Sequence, residues 1–170
     1  MNRLAKMNDP LRPDHVAQVL EQWQRQRPDL DCSPMGVVGR LARTARLLGD
    51  GINARFKEFG LTPTEFDILA TLKRSGEPLT PTELYQTLML SSGAMSIRLE
   101  ALVKRGLVER VPSAEDRRSN RVSLTEAGEE LIDEAVTAHV ANEAALLKPL
   151  DEQEQAQLAG LLQKWLLAHE

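Results

Sequence analysis

SAEDRRSNRVSLTEAG (residues 113–128) crowds Glu115, Asp116, Arg117, Arg118 and Arg121 into one polar run, then returns at once to Val122, Leu124 and a threonine. On either side lie short runs rich in Val and Leu, LVERV (107–111) and RVSLT (121–125), which read as a two-stranded hairpin with the charged segment as its loop. A lone hairpin is marginal in water, so this one must lean on the helices before it.

Those helices are marked by their starts. The pentapeptide LTPTE occurs at 61–65 and again at 79–83; in each copy threonine is the N-cap, proline sits at the first helical position and glutamate at the third. That is a capping box twice over, predicting helices over roughly 63–75 and 81–88. After LSSG a further helix begins, capped by Ser91 or Ser92, with Met95, Leu99, Leu102 and Val103 as its buried face and Gly106 as its stop.

Outward from this centre the sequence is helical in both directions. Val16, Val19, Leu20 and Trp23 share one helical face, and that helix ends near Arg27-Pro28. Ser33, as N-cap before Pro34, opens a long amphipathic helix running to Gly60. Past Thr125, another cap, Ile132, Val136, Val140, Ala144 and Leu147 mark a long helix; Leu158, Leu161, Leu162, Trp165 and Leu166 mark the last one, after Pro149. These terminal helices carry more apolar face than so small a core can cover, which predicts dimerisation.

Composition narrows the function. The 170 residues suffice for one domain with helical extensions, and no apolar run approaches the ~20 residues a membrane span requires. The opening MNRLAKMNDPLRPD has no apolar core of a signal peptide, so a cytoplasmic location without membrane attachment is expected. One cysteine, Cys32, excludes an internal disulfide, and His15, His139 and His169 have no metal-ligand spacing; no metal or cofactor is expected. No phosphate-cradling glycine loop or nucleophile with a spaced base appears, which argues against an enzyme. The net charge of −4 is uneven: residues 1–78 and 79–125 carry +2 each, residues 126–170 carry −8. Indiscriminate binding of nucleic acid is disfavoured, but a local basic patch can still meet phosphates.

Helix, short helix, longer helix and two-stranded wing is the order of a winged helix-turn-helix, whose longer helix enters the major groove, about 12 Å wide. The fold expected is mainly α with a small β-wing: a DNA-binding lobe over 61–125, with dimerisation helices over 14–60 and 126–170. At 100° per residue, Gly93, Ile97, Glu100, Ala101 and Lys104 face away from the buried side. Gly93, Ala94, Ser96 and Ile97 are the base-edge candidates: small residues allow close approach, Ser92 and Ser96 donate hydrogen bonds, and Ile97 suits a thymine methyl. In the wing, Asp116 and Arg118 lie on one side of an extended segment, so the carboxylate can hold a guanidinium outstretched and leave Arg117 or Arg118 for a minor groove. Lys104 and Arg121 add positive charge for the backbone.

With these residues in view, the chain resembles the MarR family of bacterial transcription regulators. LSSGAMSIRLEALVKRGLVER is similar to that family's recognition helix and first wing strand, and EDRRSNRVSLTEAG to its wing signature, with Asp116, Arg118, Leu124, Thr125 and Gly128 at matching positions. The resemblance implies a homodimer on a pseudo-palindromic double-stranded operator, relieved by a small, often aromatic or anionic ligand. EQWQRQRPDLDCSPMGVVGRL, LTPTEFDIL and SSGAMSIR further resemble the family's urate-responsive subgroup. That resemblance puts ligand-linked roles on Trp23, Asp67 and Arg98, with an accompanying Arg110, and implies a urate-like purine, a flat anion suited to an arginine and an indole. An aromatic carboxylate on the same scaffold is the alternative ligand. Core packing also accounts for Trp23, and a structural ion pair for Asp67 and Arg98. A redox role for Cys32 and a winged helix used only for protein contacts are the rival functions.

Overall fold

The computed structural model describes residues 12–112 and 120–169. In chain order these form α1 (His15–Gln26), α2 (Ser33–Glu58), α3 (Pro63–Ser75), α4 (Pro81–Thr87), α5 (Ser92–Lys104), β1 (Val108–Pro112), β2 (Asn120–Leu124), α6 (Glu126–Leu146) and α7 (Glu152–Leu166). The architecture is mainly helical with a small antiparallel sheet. It divides into two compact units, Met1–Gly49 and Asp50–Glu170, the boundary falling within α2.

In the first unit Asp14 caps α1, accepting from the Ala17 amide at 2.7 Å, and Arg40 of α2 donates to both its oxygens at 2.8 and 3.0 Å. The Ala17 hydrogen bond, with Arg40 beside it, holds the Asp14 carboxyl below its ordinary pKa. Gly36 and Gly39 let the two helices approach: a Cβ at Gly36 would meet Leu20 at 3.3 Å, and one at Gly39 would meet Val16 at 3.4 Å. The start of α2 differs from the expected serine cap. Ser33 is already helical, and Asp31 accepts from both its amide (2.9 Å) and its hydroxyl (3.0 Å). Val37, Val38, Leu41 and Leu47 of α2 stand exposed, and Cys32 is buried.

In the second unit both threonine boxes form as the sequence predicts, at Thr62 and Thr80. Ile68, Leu69, Leu84, Met95, Leu99, Leu102, Val108, Val122 and Ile132 are fully buried and draw α3, α4, α5, the sheet and α6 around one core. Val103, expected on the inner face of α5, is 38% exposed: it lies one residue past Leu102, which takes the core position. The strands pair in register from Val108 opposite Leu124 to Pro112 opposite Asn120. A third piece is added by Leu79, which exchanges both backbone hydrogen bonds with Val122 at 3.0 and 2.7 Å and anchors the wing's base beside α4. Gly106, at φ 68°, turns the chain from α5 into β1. The last helix begins after Pro149, as the sequence predicts, with Asp151 as its cap.

Candidate nucleic-acid interface and ligand pocket

α4 is held at its start by reciprocal bonds: Glu83 accepts from the Thr80 amide at 2.6 Å and hydroxyl at 2.9 Å, while Thr80 accepts from the Glu83 amide at 3.2 Å. These Thr80 bonds keep the Glu83 carboxyl below its usual pKa. A tight turn leads to α5, whose cap is Ser91, accepting from the Ala94 amide at 3.2 Å. Met95, Leu99 and Leu102 point into the core, as the helical bookkeeping requires. Ser92, Gly93, Ser96, Ile97 and Lys104 are exposed and Ala94 is half-buried, so all six expected contacts on this helix are available to a partner. The Ser96 hydroxyl donates to the Ser92 carbonyl at 3.0 Å.

The far end of α5 is tied to α3. Glu65 is buried; one of its oxygens accepts from the Thr62 amide and hydroxyl, both at 2.8 Å, and the other faces the Arg105 guanidinium at 3.4 Å. Burial pushes this carboxyl up, but the Thr62 hydrogen bonds and the charges of Arg105 and Arg98 outweigh it, so its pKa lies below the ordinary value. Sequence alone does not single out Arg105; a lysine-arginine pair at a helix end carries no sign of a partner 40 residues away.

At the wing, Arg121 is half-buried and donates to the Pro78 carbonyl at 3.0 Å. Its guanidinium thus braces the strand against the α3–α4 connection, leaving less of it for a phosphate than expected. Asp116, Arg117 and Arg118 lie outside the described residues.

A cavity of about 510 Å³ opens between α3 and α6, lined by Phe66, Asp67, Ala70, Lys73, Arg74, Asp133, Val136, Thr137 and His139. The His139 ring packs against Phe56 and Phe66, centroids 5.0 Å away in each case, and Phe56 and Phe66 stack at 4.1 Å. Its Nε2 lies 3.3 Å from the Glu143 carboxylate, and its Nδ1 is buried without a hydrogen-bond partner among the described residues. Desolvation against the cavity wall raises the Asp67 carboxyl above its ordinary pKa, although the residue keeps a solvent-exposed face, against the opposing pull of Arg74 and His139. Lys73 is engaged across the helices with Asp133 at 2.9 Å and Glu129 at 3.7 Å.

Of the four ligand-linked residues, only Asp67 lines this cavity. Trp23 belongs to the first unit, where it is 40% exposed, and Arg98 and Arg110 stand exposed in the second. The Asp67–Arg98 ion pair offered by the sequence does not form: the charge of Arg98 falls on Glu65, and Asp67 faces Arg74 and His139. The reason is that Asp67 and Glu65, two residues apart on α3, point to different neighbours.

The raised pKa of Asp67 gives a prediction with a definite sign. A carboxyl whose folded pKa exceeds its unfolded one favours the fold below the unfolded pKa, and that contribution is lost as pH rises through the folded pKa. Asp67→Asn should therefore melt above wild type at pH 7, with the gap closing as pH falls through the carboxylate range. A wild-type advantage at pH 7 would show that the ionised carboxylate is held favourably.

Two helices joined by a tight turn, the second with a small-residue outer face, followed by a two-stranded wing, define a winged helix-turn-helix DNA-binding protein. Within that class the chain belongs to the MarR family, whose sequence profile matches residues 59–119. The HTH-type transcriptional regulator PecS of Dickeya dadantii is 39% identical over 149 residues, spanning 86% of this chain and 90% of that protein. A mutant form of MarR from E. coli, solved in complex with operator DNA, has a TM-score of 0.67 at 26% identity and covers 85% of this chain and 97% of its own. AbsC from Streptomyces coelicolor, a MarR family transcriptional regulator, has a TM-score of 0.73 at 25% identity, covering 82% and 95%. The protein is a DNA-binding transcription regulator, not an enzyme. Among the described residues no helix is long and apolar enough to cross a membrane.

Proposed function

We propose that the protein is a repressor that binds a pseudo-palindromic operator as a homodimer in the cytoplasm and is released by a small anionic aromatic ligand such as urate. Residues 14–60 and 126–170 form the dimerisation region and 61–125 the DNA-binding lobe. The exposed apolar residues of α2 and of the α7 end, where Leu161, Trp165 and Leu167 are each more than 60% exposed, support a second copy as their cover. Ser92, Gly93, Ala94, Ser96 and Ile97 meet base edges, Lys104 and Arg121 the backbone, and the Asp116–Arg118 wing a minor groove.

The observation that carries ligand release is the placement of α3. It supplies Asp67 and Arg74 to the cavity and, two residues before Asp67, the Glu65 that faces Arg105 at the end of α5. A planar anion held by Arg74, with a hydrogen bond to His139 Nδ1, crowds the Asp67 carboxylate. Any shift of α3 that relieves this is passed through Glu65 and Arg105 to the recognition helix, spoiling the spacing of two half-sites. Trp23, Arg98 and Arg110 enter from the subgroup resemblance, and Arg98 in addition through its charge on Glu65.

The test titrates wild type, Arg74→Ala and Arg98→Ala with urate, salicylate and indole-3-acetate, following Trp23 and Trp165 fluorescence and operator release. Quenching and release by urate is the expected result, weakened about tenfold or more in Arg74→Ala because that change removes a charge-assisted hydrogen bond to the anion. If an aromatic carboxylate acts and urate does not, the regulator senses aromatic acids. If Arg74→Ala and Asp67→Asn keep full ligand-dependent release, the cavity is not the sensor. The buried position of Cys32 disfavours a peroxide-sensing route.

A further inference from the structure

Among the described residues Met89 alone is a non-glycine at positive φ, at 51°. It occupies the left-handed position that closes α4: the Leu90 amide donates to the Tyr85 carbonyl at 3.0 Å and the Met89 amide to the Gln86 carbonyl at 3.3 Å, a Schellman pair. Gly60, Gly76 and Gly106 fill the same backbone conformation elsewhere in the chain. A Cβ at such a position is strained, and Met89 gains no packing in return, since it is 93% exposed. Nothing in the fold of the described residues accounts for a long apolar side chain there.

Its location does. Met89 stands two residues ahead of Ser91, the cap of α5, at the end of the helix that carries the expected base contacts. The hydroxyls at that end are partly engaged inside the protein: Ser91 accepts from the Ala94 amide, keeping its O–H free, and Ser96 donates to the Ser92 carbonyl, keeping its acceptor sites. Outward at that end, beside these serines and the exposed Arg98, stand two large apolar side chains, Ile97 at 68% exposure and Met89. In the major groove an apolar side chain recognises the thymine C5-methyl, and the flexible thioether of methionine adapts to reach it. We infer that Met89 is a specificity-determining DNA contact that, with Ile97, reads thymine methyl groups in each half-site. This rests on α5 as the groove-facing helix.

A duplex selected by the wild-type protein from a random library provides the probe, with deoxyuridine replacing thymidine one position at a time to remove single methyl groups. Wild type should bind about fourfold more weakly at the contacted thymines, the worth of one buried methyl. Met89→Gly should lose a similar factor on the parent duplex, become indifferent to the methyl at one thymine per half-site, keep the penalty at the thymine that Ile97→Ala abolishes, and melt no lower than wild type. Met89→Gly with wild-type affinity and unchanged deoxyuridine penalties overturns the inference, as does a lowered Tm, which would make the side chain structural. Gly93→Glu separates the premise: if that variant binds normally, α5 does not face the groove, whatever Met89→Gly does.

Discussion

Gly128→Ala should lower the stability of the protein by about 2–4 kcal/mol, the upper range for overpacking a rigid site. A Cβ built on Gly128 falls within the carbonyl oxygen of Leu107 and lies 2.9 Å from its carbonyl carbon and 3.3 Å from its Cα. All three are backbone atoms, so no rotamer can give way. Moving Leu107 is costly because its carbonyl also accepts from the Thr125 amide at 3.2 Å, while the Thr125 hydroxyl donates to the Gly106 carbonyl at 2.6 Å and accepts from the Gly128 amide at 3.0 Å. The knot fastens the start of α6 to the start of β1, and the wing hangs from it. Urea and thermal unfolding followed by circular dichroism read the loss, expected to exceed that of Thr125→Ala, where a cap is removed for about 1 kcal/mol. A Gly128→Ala change below about 1 kcal/mol would mean that α6 and β1 can separate freely.

The start of every helix in the second unit from α3 to α6 was legible because capping is local chemistry. Thr62, Thr80, Ser91 and Thr125 each bond a backbone amide three residues on, and spacing alone exposes such a motif. The two strands were legible because their period differs from that of the helices around them. What escaped depends on which neighbour a side chain meets. Leu79 pairs with Val122 through backbone groups, which leave no mark on side-chain pattern. Asp67 and Arg98 carry opposite charges that permit an ion pair, yet helical angle fixes only the direction in which each leaves its own helix. Packing of α3 against α5 and α6 then assigned Glu65 to Arg98 and Arg105, and Arg74 and His139 to Asp67. His139 looked like one of three scattered histidines because its role arises from two phenylalanines far from it in sequence.

Gly93→Glu should abolish operator binding at physiological salt while leaving the fold intact or slightly firmer. Gly93 is exposed in the first turn of α5, and a Cβ there meets nothing within 4 Å. Replacing glycine within a helix gains up to about 1 kcal/mol, and a carboxylate in the first turn interacts favourably with the helix dipole. The protein alone therefore has no reason to reject the change. DNA has one: the same residue lies among the expected base contacts, where a carboxylate is desolvated against bases flanked by phosphates. Like-charge juxtaposition at an interface costs several kcal/mol, so affinity should fall by about two orders of magnitude or more. Gly93→Ala gives the helix its Cβ without the charge and should bind within about fivefold of wild type, since small side chains are tolerated in close approach. Equilibrium binding to the selected duplex, run beside thermal melts of all three proteins, distinguishes the cases. A stable Gly93→Glu protein with unchanged affinity would place the groove-facing surface somewhere other than the N-terminal half of α5.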